Sequence, residues 1–129
     1  MAEDESPRYF TVQEANEALS MIRPLVEQIM AIRQKILENR PAVWPVVAKA
    51  AGNGGSREAS LMEQDFKRLD GLVRQVRATG AVMKDINQGL VDFLSLRDGH
   101  EVYLCWQVGE AQILYWHELD EGFAGRQTI

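Results

Sequence analysis

The fold is decided by residues 90–107, LVDFLSLRDGHEVYLCWQ, in which two apolar runs flank the dipeptide Asp98-Gly99. An Asp-Gly pair in this setting is typical of a two-residue hairpin with a type I′ turn. Such a turn pairs Arg97 with His100, and counting outward from it puts Asp92 opposite Cys105. Directly opposed residues share a face of the sheet, so the register predicts two faces. The first face carries Val91, Phe93, Val102, Leu104 and Trp106. The second face carries Leu90, Asp92, Leu94, Leu96, Tyr103 and Cys105.

The connection to the following strand leaves two registers open. If Gly109-Glu110-Ala111 is a three-residue hairpin loop, Tyr115 lies opposite Cys105 and His117 lies opposite Tyr103. A loop of two or four residues would turn that strand over, because side chains alternate between the faces. We prefer the three-residue loop, since it puts both sheet tryptophans, Trp106 and Trp116, on the first face. The first face then gains Leu114 and Trp116, and the second gains Ile113, Tyr115 and His117.

Two long amphipathic helices are predicted upstream of the sheet. The first begins after Thr11, which can form a capping box with Glu14, and its apolar residues recur every three or four positions to about Asn39. Two prolines end that helix, residues 46–51 are expected to add one further turn, and the glycine-rich residues 52–56 are expected at the tip of a helical hairpin. The second helix is predicted from about Arg57 to Thr79, with Gly80 as its stop.

These elements predict a single α+β domain over residues 1–129. A long antiparallel helical hairpin, residues 11–79, packs on one face of a three- to four-stranded antiparallel β-meander, and the meander with a C-terminal tail occupies residues 80–129. A chain of 129 residues is long enough to bury a substantial core.

Composition and the distribution of charge argue against a nucleic-acid or a membrane partner. Residues 1–89 carry 12 basic and 12 acidic side chains, whereas residues 90–129 carry 2 and 7, so the whole excess of −5 lies in the sheet region. Phosphate backbones would be repelled there, and we expect no nucleic-acid partner. No segment has the ~20 apolar residues that cross a bilayer, so no membrane partner is expected. The acidic start of the chain and its single cysteine fit a cytoplasmic protein.

Six residues of the sheet and tail form a candidate binding cluster, because they can bind a metal ion, an anion or one another. A cysteine with a histidine and a carboxylate can act as nucleophile, base and orienting group, but nothing in the sequence puts Cys105 at a helix N-terminus or beside a cation. The same three residue types can hold zinc or another divalent transition metal. The plain structural alternative is a buried cysteine, a histidine bonded to backbone and an ordinary salt bridge from Arg126 to Asp92 or Glu110. The cluster is Asp92, Tyr103, Cys105, Glu110, His117 and Arg126, with Asp92, Cys105 and His117 as the metal candidates.

Several motifs resemble those of the bacterial family catalogued as domain of unknown function 2203. They are Phe10–Asn16, Gly89–Phe93, Glu101–Trp106, Gly109-Glu110, Trp116-His117 and Gly122–Arg126. The likeness spans Tyr9 to the C-terminus, and it implies no activity. The chain departs from the family pattern at Leu94 and in the connector of residues 41–56.

We therefore expect an uncharacterised cytosolic protein that acts as a non-catalytic, self-associating interaction or assembly module. Its second sheet face is too apolar to remain exposed, so we expect a homodimer, cover by the C-terminal tail through Phe123, or both. No cofactor is expected under this hypothesis. The alternative is a small metal-binding protein or metal-dependent enzyme that uses the Asp92, Cys105 and His117 cluster.

Overall fold

A computed structural model describes residues 8–52 and 64–129. Its helices are α1 (Val12–Asn39), α2 (Trp44–Ala50) and α3 (Gln64–Ala78). Its strands are β1 (Val82–Asp85), β2 (Leu90–Arg97), β3 (His100–Gln107), β4 (Tyr115–Glu118) and β5 (Gln127–Thr128). Short 3-10 turns cover Pro41–Val43 and Phe123–Gly125. The predicted α+β class is confirmed.

The start of α1 is fixed by the predicted capping box. The Glu14 backbone N–H donates to Thr11 Oγ1 at 3.0 Å, and the Thr11 backbone N–H donates to Glu14 Oε1 at 2.9 Å. Two of the N–H groups that lack an intrahelical partner are thereby satisfied. The helix continues through Pro24 to Asn39 and buries one stripe of apolar side chains: Ala15, Leu19, Ile22, Val26, Ile29, Ile32 and Ile36.

α1 and α3 pack side by side in opposite directions. Lys35 Nζ lies 3.1 Å from Asp65 Oδ2. Two helical turns earlier in α1, Gln28 accepts a hydrogen bond at 3.2 Å from Arg68, which lies later in α3. The two contacts therefore show that the helices are antiparallel.

The connection between these helices differs in part from the prediction. The single turn predicted for residues 46–51 is replaced by a 3-10 turn and the seven-residue α2. Trp44 at the start of α2 joins the helices to the sheet, because its Nε1–H donates to Asn87 Oδ1 at 2.7 Å. Residues 53–56 of the predicted hairpin tip and the predicted start of the second helix at Arg57 lie outside the described residues.

Within residues 8–52 and 64–129, the sheet is an antiparallel meander of five strands in the order β1-β2-β3-β4-β5. The prediction of three or four strands was wrong, because β5 has only two residues and so gives no alternation that a sequence pattern could reveal. It pairs with Tyr115 and Trp116 of β4.

The central hairpin has the predicted register. Asp92 pairs with Cys105, Phe93 with Leu104 and Arg97 with His100. Asp98 and Gly99 have φ angles of 51° and 84°, as a type I′ turn requires.

The β3–β4 connection corrects one prediction and confirms another. The loop covers residues 108–114 and is longer than the predicted Gly109-Glu110-Ala111, yet the preferred pairing of Cys105 with Tyr115 and of Tyr103 with His117 is the observed one. The loop is held by α1 instead of by a tight turn: the Arg23 guanidinium donates to the Glu110 and Ala111 carbonyls at 2.9 and 2.7 Å.

One loop residue lies elsewhere than predicted for the same reason. The Ile113 N–H donates to Asn16 Oδ1 of α1 at 2.7 Å, so Ile113 is buried in the helix-side core and not on the second face. Leu114 directly precedes β4 and is 40% exposed, so it adds no buried side chain to the core under the first face.

The first face of the sheet packs on the helices. Its members Val91, Phe93, Val102, Leu104 and Trp106 are buried, and Trp116 packs against the same core. The second face is only partly covered: Leu90 is buried, Leu94, Tyr103 and Tyr115 are half-buried, and Leu96 is 53% exposed. Among the helices described, none combines the length and apolar character that a membrane crossing requires.

Candidate metal centre

Three chemically different donors meet on the second face of the sheet. Asp92 of β2 and Cys105 of β3 are directly opposed, and His117 of β4 lies one diagonal step from Cys105. One ligand atom from each of the three side chains lies within 4.8 Å of the other two. All three residues are buried, with exposed fractions of 2%, 1% and 1%. Neighbouring strands therefore bring a carboxylate, a thiol and an imidazole together out of bulk water.

Hydrogen bonding fixes the tautomer of His117. Its Nδ1 lies 2.8 Å from the Glu118 backbone carbonyl oxygen, which can only accept, so Nδ1 carries a proton and donates. Its Nε2 lies 3.0 Å from Asp92 Oδ2. An imidazole whose Nδ1–H is bonded to a backbone carbonyl presents Nε2 to a metal or a proton, which is the usual arrangement of a metal-ligating histidine.

The Asp92 carboxyl is only half satisfied. Its Oδ2 meets His117 Nε2, whereas its buried Oδ1 has no hydrogen-bond partner within residues 8–52 and 64–129. Burial raises the pKa of the Asp92 carboxyl, and the charge and hydrogen bond of His117, a hydrogen bond from the Cys105 thiol and the charge of Lys84 offset part of that rise. A buried carboxylate oxygen without a donor is costly unless a proton or a cation reaches it.

Cys105 is not an activated nucleophile in this structure. Burial, together with repulsion from the Asp92 carboxylate, raises the pKa of its thiol to about 12. The thiol is therefore protonated near neutral pH, and a thiolate forms only when a cation compensates its charge.

The remaining residues of the predicted cluster surround these three donors. The Tyr103 ring packs on the His117 ring with a centroid separation of 5.7 Å. Glu110 lies outside the group of converging donors and binds Arg126, whose guanidinium nitrogen is 2.6 Å from Glu110 Oε2. Of the two carboxylates predicted as partners of Arg126, the structure selects Glu110.

The C-terminal tail closes one side of the site. Arg126 stacks on the Tyr115 ring at 3.8 Å and on the Phe123 ring at 4.6 Å, so the ion pair with Glu110 also fixes Phe123. Phe123 in turn lines a cavity of about 300 Å³ that reaches all three donors. The cavity is lined by Lys84, Asp85, Gln88, Leu90, Asp92, Cys105, His117, Glu121, Gly122 and Phe123.

Lys84 is a residue of this cavity that the sequence did not predict. A register shift between Met83 and Asp85 interrupts the pairing of β1 with β2. Lys84 lies at this irregularity, and its Nζ is 4.5 Å from the centroid of the Tyr103 ring. Nothing in the residue pattern signals such a bulge, so Lys84 could be located only from the structure.

Comparison with known proteins finds one family. The family model of DUF2203, described as an uncharacterised conserved protein, matches residues 8–129. No curated protein and no solved structure matches the chain.

Proposed function

The chain belongs to the DUF2203 family, and we propose that it binds a divalent transition metal ion through Asp92, Cys105 and His117. One observation carries the proposal: three different donors converge in a buried place, while Asp92 Oδ1 has no N–H or O–H donor among the described residues. A purely structural cluster satisfies Oδ2 through His117 and offers Oδ1 at most the neighbouring Cys105 thiol, which is a weak donor. A metal ion supplies the missing positive charge.

Zinc is the best match to this donor set. A thiolate and an imidazole favour zinc over magnesium or calcium, and a carboxylate is a common third ligand. Ligand atoms around tetrahedral zinc lie about 3.3 to 3.6 Å apart, so donors that lie within 4.8 Å of one another must close by at most about 1.5 Å.

The test is metal content and affinity. Protein prepared without chelator should contain about one zinc per chain by elemental analysis, and apo-protein should take up one equivalent in a titration against a chromophoric chelator. Cys105→Ser and His117→Gln should each lose this binding. His100→Ala should retain it, because His100 is exposed and its ring lies 3.1 Å from the Glu118 side chain, away from the three donors. Wild type that binds no more zinc than Cys105→Ser would refute the proposal.

We also propose that the protein self-associates through the uncovered part of the second face. Val82 is 40% exposed and lies opposite Asp92, on the same face as Leu94 and the 53% exposed Leu96. β1, which carries Val82, is an edge strand of the sheet. Antiparallel pairing of two β1 edges in a symmetric dimer would bring these apolar strips together.

Light scattering at tens of micromolar tests this second proposal. Wild type should be a dimer, and Leu96→Glu should be a folded monomer. Leu114→Glu is the matched control, since Leu114 is 40% exposed but lies outside this face. A monomeric wild type would contradict self-association and would leave the C-terminal tail as the proposed cover of the face.

A further inference from the structure

The three donors can meet a metal ion or a reagent from solvent only if a wall of their cavity moves. Asp92, Cys105 and His117 have exposed fractions of 2%, 1% and 1%, although the cavity that reaches them measures about 300 Å³. The sheet carries the donors and forms the floor of this cavity. The other walls are β1 with the turn that follows it, and the tail loop, which we define as residues 119–126.

The turn after β1 is held at three points. The Asp85 carboxylate accepts a hydrogen bond from the Asn87 backbone N–H at 2.8 Å. The Asn87 side chain accepts from the buried Trp44 of α2 at 2.7 Å, and the Gly89 carbonyl accepts from the Val108 N–H of the β3–β4 loop at 2.9 Å. These bonds join the turn to two other parts of the fold, so this wall is fixed.

The tail loop is held mainly by itself. In the part of the chain that the structure describes, its three backbone hydrogen bonds measure 2.9 to 3.2 Å and all lie within residues 118–126. Residues 119–124 are exposed. A surface segment with local hydrogen bonds and little buried area can open while the rest of the protein stays folded. Its two ends lie side by side, because the flanking strands β4 and β5 are paired, so it can turn outward as a unit.

Among the described residues, one ion pair fastens the tail loop over the cavity. The Arg126 guanidinium donates to the two oxygens of Glu110 at 2.7 and 2.6 Å. Glu110 is itself fixed, because its Oε1 accepts from the Gln107 backbone N–H at 2.7 Å. The guanidinium also lies over the rings of Tyr115 and Phe123, and Phe123 lines the cavity. Loss of this ion pair therefore releases both the loop and the ring that covers the donors.

We propose that the tail loop is a gate over the cavity. It turns outward on the ends of β4 and β5 when the ion pair of Arg126 with Glu110 breaks, and its opening limits how fast a metal ion reaches or leaves the three donors. The role in metal exchange rests on the metal site proposed above. The opening itself does not, because the Cys105 thiol lies behind the same gate and can react with a reagent when no metal is bound.

Gly125 offers a variant that disturbs the closed loop without changing a donor or the ion pair. A Cβ atom at Gly125 would lie 2.7 and 2.8 Å from Cδ and Cβ of Glu121, which belongs to the same loop. Gly125→Ala therefore strains the closed form. Gly71→Ala is the matched control, since a Cβ atom at Gly71 meets nothing within 4 Å and this residue lies in α3, outside the cavity lining.

Alkylation of the metal-free protein by iodoacetamide tests the opening. Cys105 is the single cysteine of the chain, so the rate of alkylation reports access to the cavity. Steric strain of this kind should raise the rate about tenfold in Gly125→Ala. Arg126→Gln should also raise it, and Gly71→Ala should react as wild type does. The rates should depend only weakly on urea, because opening of one loop exposes far less surface than global unfolding.

Stopped-flow measurement of zinc exchange extends the test to the metal. Gly125→Ala should take up and release zinc faster than wild type by the same factor and should keep the wild-type Kd, because the strain acts on the closed loop with and without metal. Faster alkylation together with unchanged rates of zinc exchange would overturn the role of the loop in metal exchange.

Failure of the gate can be separated from failure of the metal site. If wild type binds no zinc, the metal site and the role in metal exchange both fall, whereas alkylation still decides whether the loop opens. If Gly125→Ala is alkylated as slowly as Gly71→Ala, the gate is wrong whether or not zinc binds. Alkylation rates that rise with urea as steeply as global unfolding would also overturn it, since Cys105 would then be reached only in the unfolded chain.

Discussion

Substitution of Asp92 separates the structural part of the site from its ligand-binding part. In Asp92→Asn the side-chain amide can donate to His117 Nε2, which is the acceptor of the neutral ring when Nδ1 donates to the Glu118 carbonyl. The 3.0 Å contact is then kept while the buried carboxylate is removed. In Asp92→Ala the contact is lost and Nε2 remains buried without a partner.

The two variants should differ clearly in stability without metal. An unsatisfied buried acceptor costs about 1 to 3 kcal/mol, so Asp92→Ala should melt about 3 to 15 °C below wild type, at about 3 to 5 °C per kcal/mol for a domain of this size. Asp92→Asn should melt within about 3 °C of wild type or above it, since an amide is cheaper to bury than a carboxylate.

The pH dependence has a definite sign. The pKa of Asp92 is raised in the folded protein above its ordinary value of 3.8, so its contribution to stability is fully present below pH 3.8 and is lost as the pH rises through the folded-state pKa. Asp92→Asn has no carboxyl group at this position, so without metal it does not lose stability in this way as the pH rises. Its melting temperature relative to wild type should therefore increase from about pH 4 upward.

Zinc provides the decisive comparison. At a free zinc concentration of about 100 times Kd, ligand linkage stabilises the wild type by about 2.7 kcal/mol, or about 10 °C. Asp92→Asn and Asp92→Ala should show no such shift, whereas His100→Ala should show all of it. The assay is thermal unfolding followed by circular dichroism, with and without zinc. If Asp92→Ala behaves like His100→Ala under both conditions, Asp92 is ordinary sheet surface and the site is refuted.

Three further predictions concern the thiol and the tail. Because the pKa of the Cys105 thiol is about 12, zinc can bind the thiolate only if the thiol releases its proton. The apparent affinity for zinc should therefore increase about tenfold per pH unit between about pH 6 and 8. A Kd for zinc that does not change with pH would contradict thiolate ligation. Folded metal-free protein should react with a thiol reagent only slowly, since Cys105 is 1% exposed, and should react at once in denaturant. Arg126→Gln should destabilise the protein by about 2 kcal/mol by urea denaturation, because it leaves the partly buried Glu110 carboxylate without its cation and with the Gln107 backbone N–H at 2.7 Å as its remaining donor. Arg97→Gln, which loses stacking on Trp116, should cost about half as much.

Short-range signals in the sequence were sufficient for much of this fold. The Asp98-Gly99 turn specifies its own register, and that register alone puts Asp92 opposite Cys105. The capping box of Thr11 and Glu14 likewise depends on residues three positions apart.

Features that depend on distant contacts were not predictable in this way. The β3–β4 loop is longer than expected because Arg23 and Asn16, on a helix far earlier in the chain, bind its backbone. The location of Lys84 follows from a strand irregularity, and the two-residue β5 exists only through its pairing with β4. The convergence of His117 with Asp92 was anticipated because the preferred register is the observed one, although a different loop produces it.

The apolar stripe of α1 has a consequence for synthesis of the chain. Its last member, Ile36, is made 70 residues before Trp106, a sheet residue that helps to cover the same core. At about 5 to 20 residues per second, a ribosome needs roughly 4 to 14 s to make that interval. During this time the emerging helix can bury its stripe only against itself, against α2 and α3 as they appear, or against a chaperone. The nascent chain is thus exposed to aggregation before the sheet exists, and α3, which is made before the sheet, is the partner within the chain that shortens this exposure.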